Sequence, residues 1–161
     1  NRTPLGESLN AVMEACAAAR RQAILSGGTS RVTIRGAEEG AGFIISAGSG
    51  GGKSSKQKDE NINSDMAGFL DETPRPAPKP SAGVGFSGRI HDEVAIHFIS
   101  VNFSDPMDED QVEIKFYSNG TSDEFTIGMR HEFGDALLRF VQLDSVTGLA
   151  YIKTEYEILQ R

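Results

Sequence analysis

The chain has 161 residues, 38% of them apolar, a size and composition that suit one domain with a real core once a disordered stretch is discounted. Its net charge of −7 is uneven: residues 104–161 hold five basic and twelve acidic side chains, a balance that repels a phosphate backbone and argues against a nucleic-acid partner. Cys16 is the only cysteine, so an internal disulfide is excluded, and no Cys/His spacing suggests zinc.

The chain begins at Asn1 rather than Met and runs through Thr3-Pro4 almost directly into a helical pattern, as though an upstream segment had been removed. Leu5, Leu9, Val12, Met13, Cys16, Ala19, Ala23 and Ile24 recur at spacings of three and four, with Glu7, Asn10, Glu14, Arg20 and Arg21 mostly on the other side. That periodicity predicts an amphipathic helix. Pro4 suits its first turn, the alanines at 17–19 add propensity, and Gly27-Gly28 supplies the stop. No stretch approaches the eighteen or so apolar residues of a spanning helix, and no secretory leader is visible.

After the glycine pair the period becomes two. Arg31-Val32-Thr33-Ile34-Arg35 alternates and Phe43-Ile44-Ile45 follows a short acidic turn, which predicts a first hairpin. From Ala47 to about Gly88 the pattern is lost to Gly, Ser and Lys and then to Pro74, Pro76, Pro78 and Pro80, so residues 47–88 read as a flexible or disordered insertion. Within it, Ala47 to Ser55 ends in Gly52-Lys53-Ser54, like a phosphate-binding loop. That loop needs glycine where Ala47 stands, and it must open into an amphipathic helix, whereas Ser55 to Asn61 has no apolar residue. The expectation is no nucleotide and no other cofactor.

Val94 to Val101 is apolar enough to predict a strand buried on both faces. The acidic loop 105–110 leads to a strand at Val112 to Tyr117; the turn Ser118-Asn119-Gly120 leads to another at Phe125 to Met129. Two more fit Ala136 to Leu143 and Leu149 to Lys153, with Tyr156 to Leu159 as a last one. Short connections between successive strands imply antiparallel pairing, so the predicted class is α+β: one helix, then mostly antiparallel sheet. The core is expected at Val94, Ile96, Phe98, Ile114, Phe116, Phe125, Ile127, Leu138, Phe140, Val141, Leu143 and Ile152, packed against the helix.

Candidate chemistry is sparse. His91 and His97, if on one strand, share a face but lie six residues, or roughly 20 Å, apart, too far to hold one metal ion together. His131, beside Glu132, reads as polar surface. The run Asp105 to Asp110 offers carboxylates for calcium, yet lacks the central glycine and the alternating ligands of a twelve-residue calcium loop, and reads as a solvated acidic turn. Cys16 lies on the apolar helix face, where a packed thiol is expected. No catalytic, cofactor or metal residues are expected.

Three segments in order resemble the minor pseudopilins of type II secretion systems, specifically the H type, and the related FimT-like minor pilins. The first is Ala18-Ala19-Arg20-Arg21-Gln22-Ala23-Ile24 running through Gly27-Gly28 into Val32-Thr33-Ile34. The second is Ile114 to Ser122, through Asn119-Gly120, with Phe125-Thr126-Ile127. The third is Phe140 to Gly148, with Asp144 and Thr147-Gly148. The resemblance implies a single pilin-like domain over 1–161, with residues 1–26 as the second half of a long N-terminal helix whose membrane-spanning first half is absent. It implies a non-catalytic subunit of a membrane-anchored fibre at the bacterial inner membrane. This domain would lie in the periplasm, near the fibre tip, with other pseudopilins and secreted cargo as partners. A FimT-like, DNA-binding pilin and an extracellular ligand-binding module are the competing readings; the first lacks clustered Lys and Arg, the second lacks tryptophan. Leu5, Leu9, Val12, Met13 and Cys16 are the expected partner-binding helix face, with Leu5 and Leu9 only partly covered by their own domain.

Overall fold

The computed structural model describes residues 3–37, 42–49, 84–106, 109–134 and 137–159. Helix α1 (Pro4–Ser26) occupies the amphipathic stretch. Thr3 caps its start by accepting the Gly6 N–H at 2.9 Å, satisfying one of the donors that a helix N-terminus leaves unpaired. At the other end Gly27 takes φ 74°, and its N–H donates to Ala23 O at 3.0 Å. A left-handed residue there stops the helix and turns the chain into the sheet.

Among the described residues eight strands follow: β1 (Ser30–Gly36), β2 (Phe43–Ser49), β3 (Val84–Ile90), β4 (Val94–Val101), β5 (Gln111–Phe116), β6 (Phe125–His131), β7 (Arg139–Asp144) and β8 (Leu149–Thr154). A short helix, α2 (Glu155–Leu159), comes last. The strands form two four-stranded antiparallel sheets, ordered β3-β2-β1-β5 and β4-β6-β7-β8. The architecture is therefore α+β, one N-terminal helix with two antiparallel sheets.

Helix α1 touches strands of both sheets. Its inner face is largely small, with Ala15, Ala18, Ala19 and Ala23 beside Val12 and Cys16, all buried. Short side chains let the helix backbone approach closely, so both sheets reach it. Val32, Ile34 and Ile45 come from the first sheet, and Ile99, Phe125, Ile127, Met129, Val141 and Leu143 from the second. Burying each of the larger side chains contributes about 1.5–3 kcal/mol, and Phe116 and Phe125 are completely enclosed.

Several expectations are corrected. Strand β2 runs to Ser49 and β3 begins at Val84, so the ends of the expected insertion belong to these strands; its middle, residues 50–83, lies outside the described residues. Strand β3 was hidden because Gly85 and Gly88 dilute its period of two. Strand β4 is not buried on both faces. The register with β6 slips between Ile96 and Phe98, a bulge that inserts His97 and leaves Phe98 opposite Gly128 on the outer face, 45% exposed. There it meets Phe140 edge to face, with ring centroids 6.5 Å apart. Ile152, expected in the core, is 44% exposed because β8 is an edge strand, while Ile96 and Leu138 are half-buried. Tyr156 to Leu159 is helical, not a strand. Thr154 and Glu157 cap it reciprocally, Thr154 N–H to Glu157 Oε1 at 2.8 Å and Glu157 N–H to Thr154 Oγ1 at 3.2 Å.

Candidate functional site

The three sequence segments singled out above meet at one corner of the molecule. Arg20, one turn and a half before the end of α1, donates from Nε to Thr147 O at 2.9 Å, joining the helix to the β7–β8 turn. Gly148 follows with φ 72°, its N–H on Asp144 O at 2.7 Å. A Cβ at Gly148 would collide with Gly120 O of the β5–β6 connection and would stand 3.2 Å from both Cδ and Nε of Arg20. Ser122 N–H donates to Ser145 O at 3.0 Å, lacing the two connections together. Both turns are set by their own side chains. Asn119 Oδ1 accepts from Thr121 N–H and Oγ1, at 3.1 and 2.7 Å, and Asp144 Oδ1 accepts the Val146 N–H at 3.0 Å.

Beside this corner a groove of about 370 Å³ opens between α1 and β8. Met13, Ala17, Ile24, Leu149 and Ala150 make it apolar, Leu25 stands at its side 79% exposed, and Arg20 and Arg21 bring two positive charges to it. An apolar lining with two guanidinium groups beside it would suit an apolar side chain accompanied by carboxylates. The sequence pattern did not reveal it, because Leu149 and Ala150 join Met13 and Ile24 only through the tertiary approach of β8 to the helix.

The expected partner face lies elsewhere. Leu5, Leu9, Val12 and Cys16 are all buried against this domain's own sheets, and Met13 is half-buried at the groove. The partial exposure expected of Leu5 and Leu9 is thus corrected: they are 8% and 7% exposed, because both belong to the core that this domain closes around α1. Ser8, also fully buried, accepts the His91 N–H at 2.9 Å and ties that turn to α1. The helix surface left open carries Glu7, Asn10, Glu14, Ala17, Arg21, Ile24 and Leu25. Burial pushes the Cys16 thiol up to about 12, so it stays protonated at neutral pH and packs as a small apolar group.

His91 sits in the β3–β4 turn, where its Nδ1 accepts the Glu93 N–H at 3.1 Å; His97 is the exposed bulge residue of β4, and His131 closes β6. Among the described residues no three His, Cys, Asp or Glu side chains gather into a group that could hold a metal ion. Of the acidic run, Asp105, Glu109 and Asp110 are exposed in the β4–β5 connection, while Met107 and Asp108 lie outside the described residues, as does the whole Gly52-Lys53-Ser54 stretch.

One feature was missed altogether. Val101 and Ser104 pair across a two-residue turn, exchanging N–H and O contacts at 3.0 Å in both directions, and Asn102 and Phe103 at its tip take φ of 54° and 67°. Asn tolerates that conformation, but the second position is one where glycine is usual. The sequence gives no sign of the turn, since an aromatic residue is the opposite of the glycine signal. No helix among the described residues is long and apolar enough to cross a membrane. Comparison of the chain with protein-family models, with curated proteins and with solved structures returned no match.

Proposed function

We propose that this chain is a non-catalytic structural subunit of a pseudopilus or type IV pilus-like fibre, resembling the H-type minor pseudopilins of type II secretion, with this domain on the periplasmic side and near the fibre tip. The observation that supports the reading is the convergence at Arg20. The three segments that carry the resemblance are separated by about eighty residues and by about twelve residues in sequence, yet Arg20, Gly120 and Thr147-Gly148 make one packed corner. Segments that serve only as generic hairpin turns have no reason to meet the same helix residue. The leading helix agrees with the reading too: it enters the domain first, is gripped by both sheets, and keeps one face uncovered.

In this reading the upstream part of the helix anchors and polymerises the subunit, and neighbours meet the outer face at Ala17, Arg21, Ile24 and Leu25 rather than the inner face at Leu5 and Leu9. The deciding experiment is mass spectrometry of the processed N-terminus of the full-length precursor isolated from membranes. The expected result is a cleaved, methylated Phe followed by about twenty apolar residues, long enough to span a bilayer. A conventional secretory leader there, cleaved to release the domain, would refute the proposal.

A further inference from the structure

Phe103 holds an unfavourable backbone while burying almost nothing. Its φ of 67° is one that bulky L-residues avoid, and its ring is 87% exposed. The turn beneath it is nevertheless firmly built. Glu124 Oε1 accepts the Phe103 N–H at 2.9 Å, Glu124 O accepts the Asn102 N–H at 2.9 Å, and Asn102 Oδ1 accepts the Glu124 N–H at 3.1 Å. An aromatic ring is thus presented to solvent on a rigid turn, in a form that loses little freedom on binding.

We propose that Phe103 docks into the groove between α1 and β8 of a second copy of this chain. The groove is apolar along Met13, Ile24 and Leu149 and has room for one phenyl ring. Charge matches on the two sides. Arg20 and Arg21 accompany the groove, whereas Phe103 stands beside the Glu124 carboxylate and two residues before Asp105. Geometry prevents one chain from satisfying both halves. Val101, Phe125, Leu143 and Ala150 form a single cross-strand row, with the turn beyond β4 at one edge of the sheet and the groove beyond β8 at the other. The row spans three inter-strand spacings, or about 14 Å. The ring and the groove are different patches at opposite edges, so copies join either head to tail, into chains or rings, or reciprocally about a two-fold axis with both ring–groove contacts made. This goes beyond the fibre reading, since it concerns contact between globular domains and is tested without the upstream segment.

The test is sedimentation velocity of the 161-residue chain over a concentration series, with two variants. The native chain is expected to associate into dimers or longer assemblies, less so as salt rises. Phe103→Gly, which suits the turn, is expected to weaken association by about tenfold or more, while raising the melting temperature by about 2–4 °C through relief of the backbone. Ala17→Arg, at an exposed groove position, is expected to weaken association equally with the fold intact. Mixed together, the two variants are expected to form one-to-one dimers and nothing longer, because one retains the groove and the other the ring. A native chain that stays monomeric throughout overturns the proposal. So does Phe103→Gly associating like the native chain, a mixture that stays monomeric, or a Phe103→Gly chain that melts lower, which would mean the ring is held by its own domain.

Discussion

Replacing Gly148 by alanine separates two effects that glycine usually confounds. At φ 72° an alanine pays for a left-handed backbone, about 1 kcal/mol. In addition its Cβ meets Gly120 O and presses on Cδ and Nε of Arg20 at 3.2 Å, so the two turns must part or the Arg20 bond to Thr147 must give way. Overpacking of this kind costs about 1–3 kcal/mol. Together the loss is about 3 kcal/mol. Gly27 is the control: its φ of 74° is nearly the same, but nothing lies within 4 Å of the added Cβ, so Gly27→Ala carries the backbone cost alone, about 1 kcal/mol. Urea denaturation of both variants, with unchanged m-values, gives the difference directly. The expected Gly148→Ala loss corresponds to about 6–12 °C in melting temperature for a domain of this size. If the two variants lose the same stability within about 0.5 kcal/mol, the corner at Arg20 is not closely packed, and its support for the proposed function falls with it.

The other expectations follow the burial pattern. Phe116→Ala, at a fully enclosed ring, should cost about 3–5 kcal/mol in urea melts, and a loss below about 1 kcal/mol would mean the β5 facing is wrong. Leu9→Glu should destabilise the isolated domain by about 3 kcal/mol or more, while Leu25→Glu, 79% exposed, should stay within about 0.5 kcal/mol; equal effects in thermal melts would contradict the packing of α1. Cys16 should resist Ellman's reagent at pH 8 until urea unfolds the chain. Its folded pKa of about 12 stands above its ordinary 9.0, so its contribution is intact below pH 9 and is lost as pH rises from there toward 12. The slope is at most about 1.4 kcal/mol per pH unit, and Cys16→Ala should flatten it; an unchanged slope would mean the thiol already ionises in the folded domain.

Much of the framework could be read from local signals. Pro4 and Gly27 bound α1, and the alternation from Arg31 to Arg35 and the Asn119-Gly120 and Thr147-Gly148 turns locate β1, β5, β6, β7 and β8. These signals act over a few residues, which is why they are legible. What failed depends on distant partners or on a single inserted residue. A bulge at His97 reverses the facing of Phe98, the edge position of β8 exposes Ile152, and glycines hide β3. The reciprocal Thr154 and Glu157 cap, by contrast, was present in the sequence and outweighs the apolar alternation that suggested a strand. The groove and the Phe103 turn could not be read at all, the first because it joins residues more than a hundred positions apart, the second because it contradicts the usual turn chemistry.

The placement of α1 against both sheets has a mechanical consequence. A helix lying on the outside of a sheet can be peeled away one turn at a time, with only a few contacts loaded at any moment. Here a pull on the chain at Pro4 is shared along the helix by Val12, Cys16, Ala19 and Ala23, then passes through Arg20 to the β7–β8 turn and through Gly27 to β1. A pull along the leading helix is thereby divided between two sheets rather than borne by one.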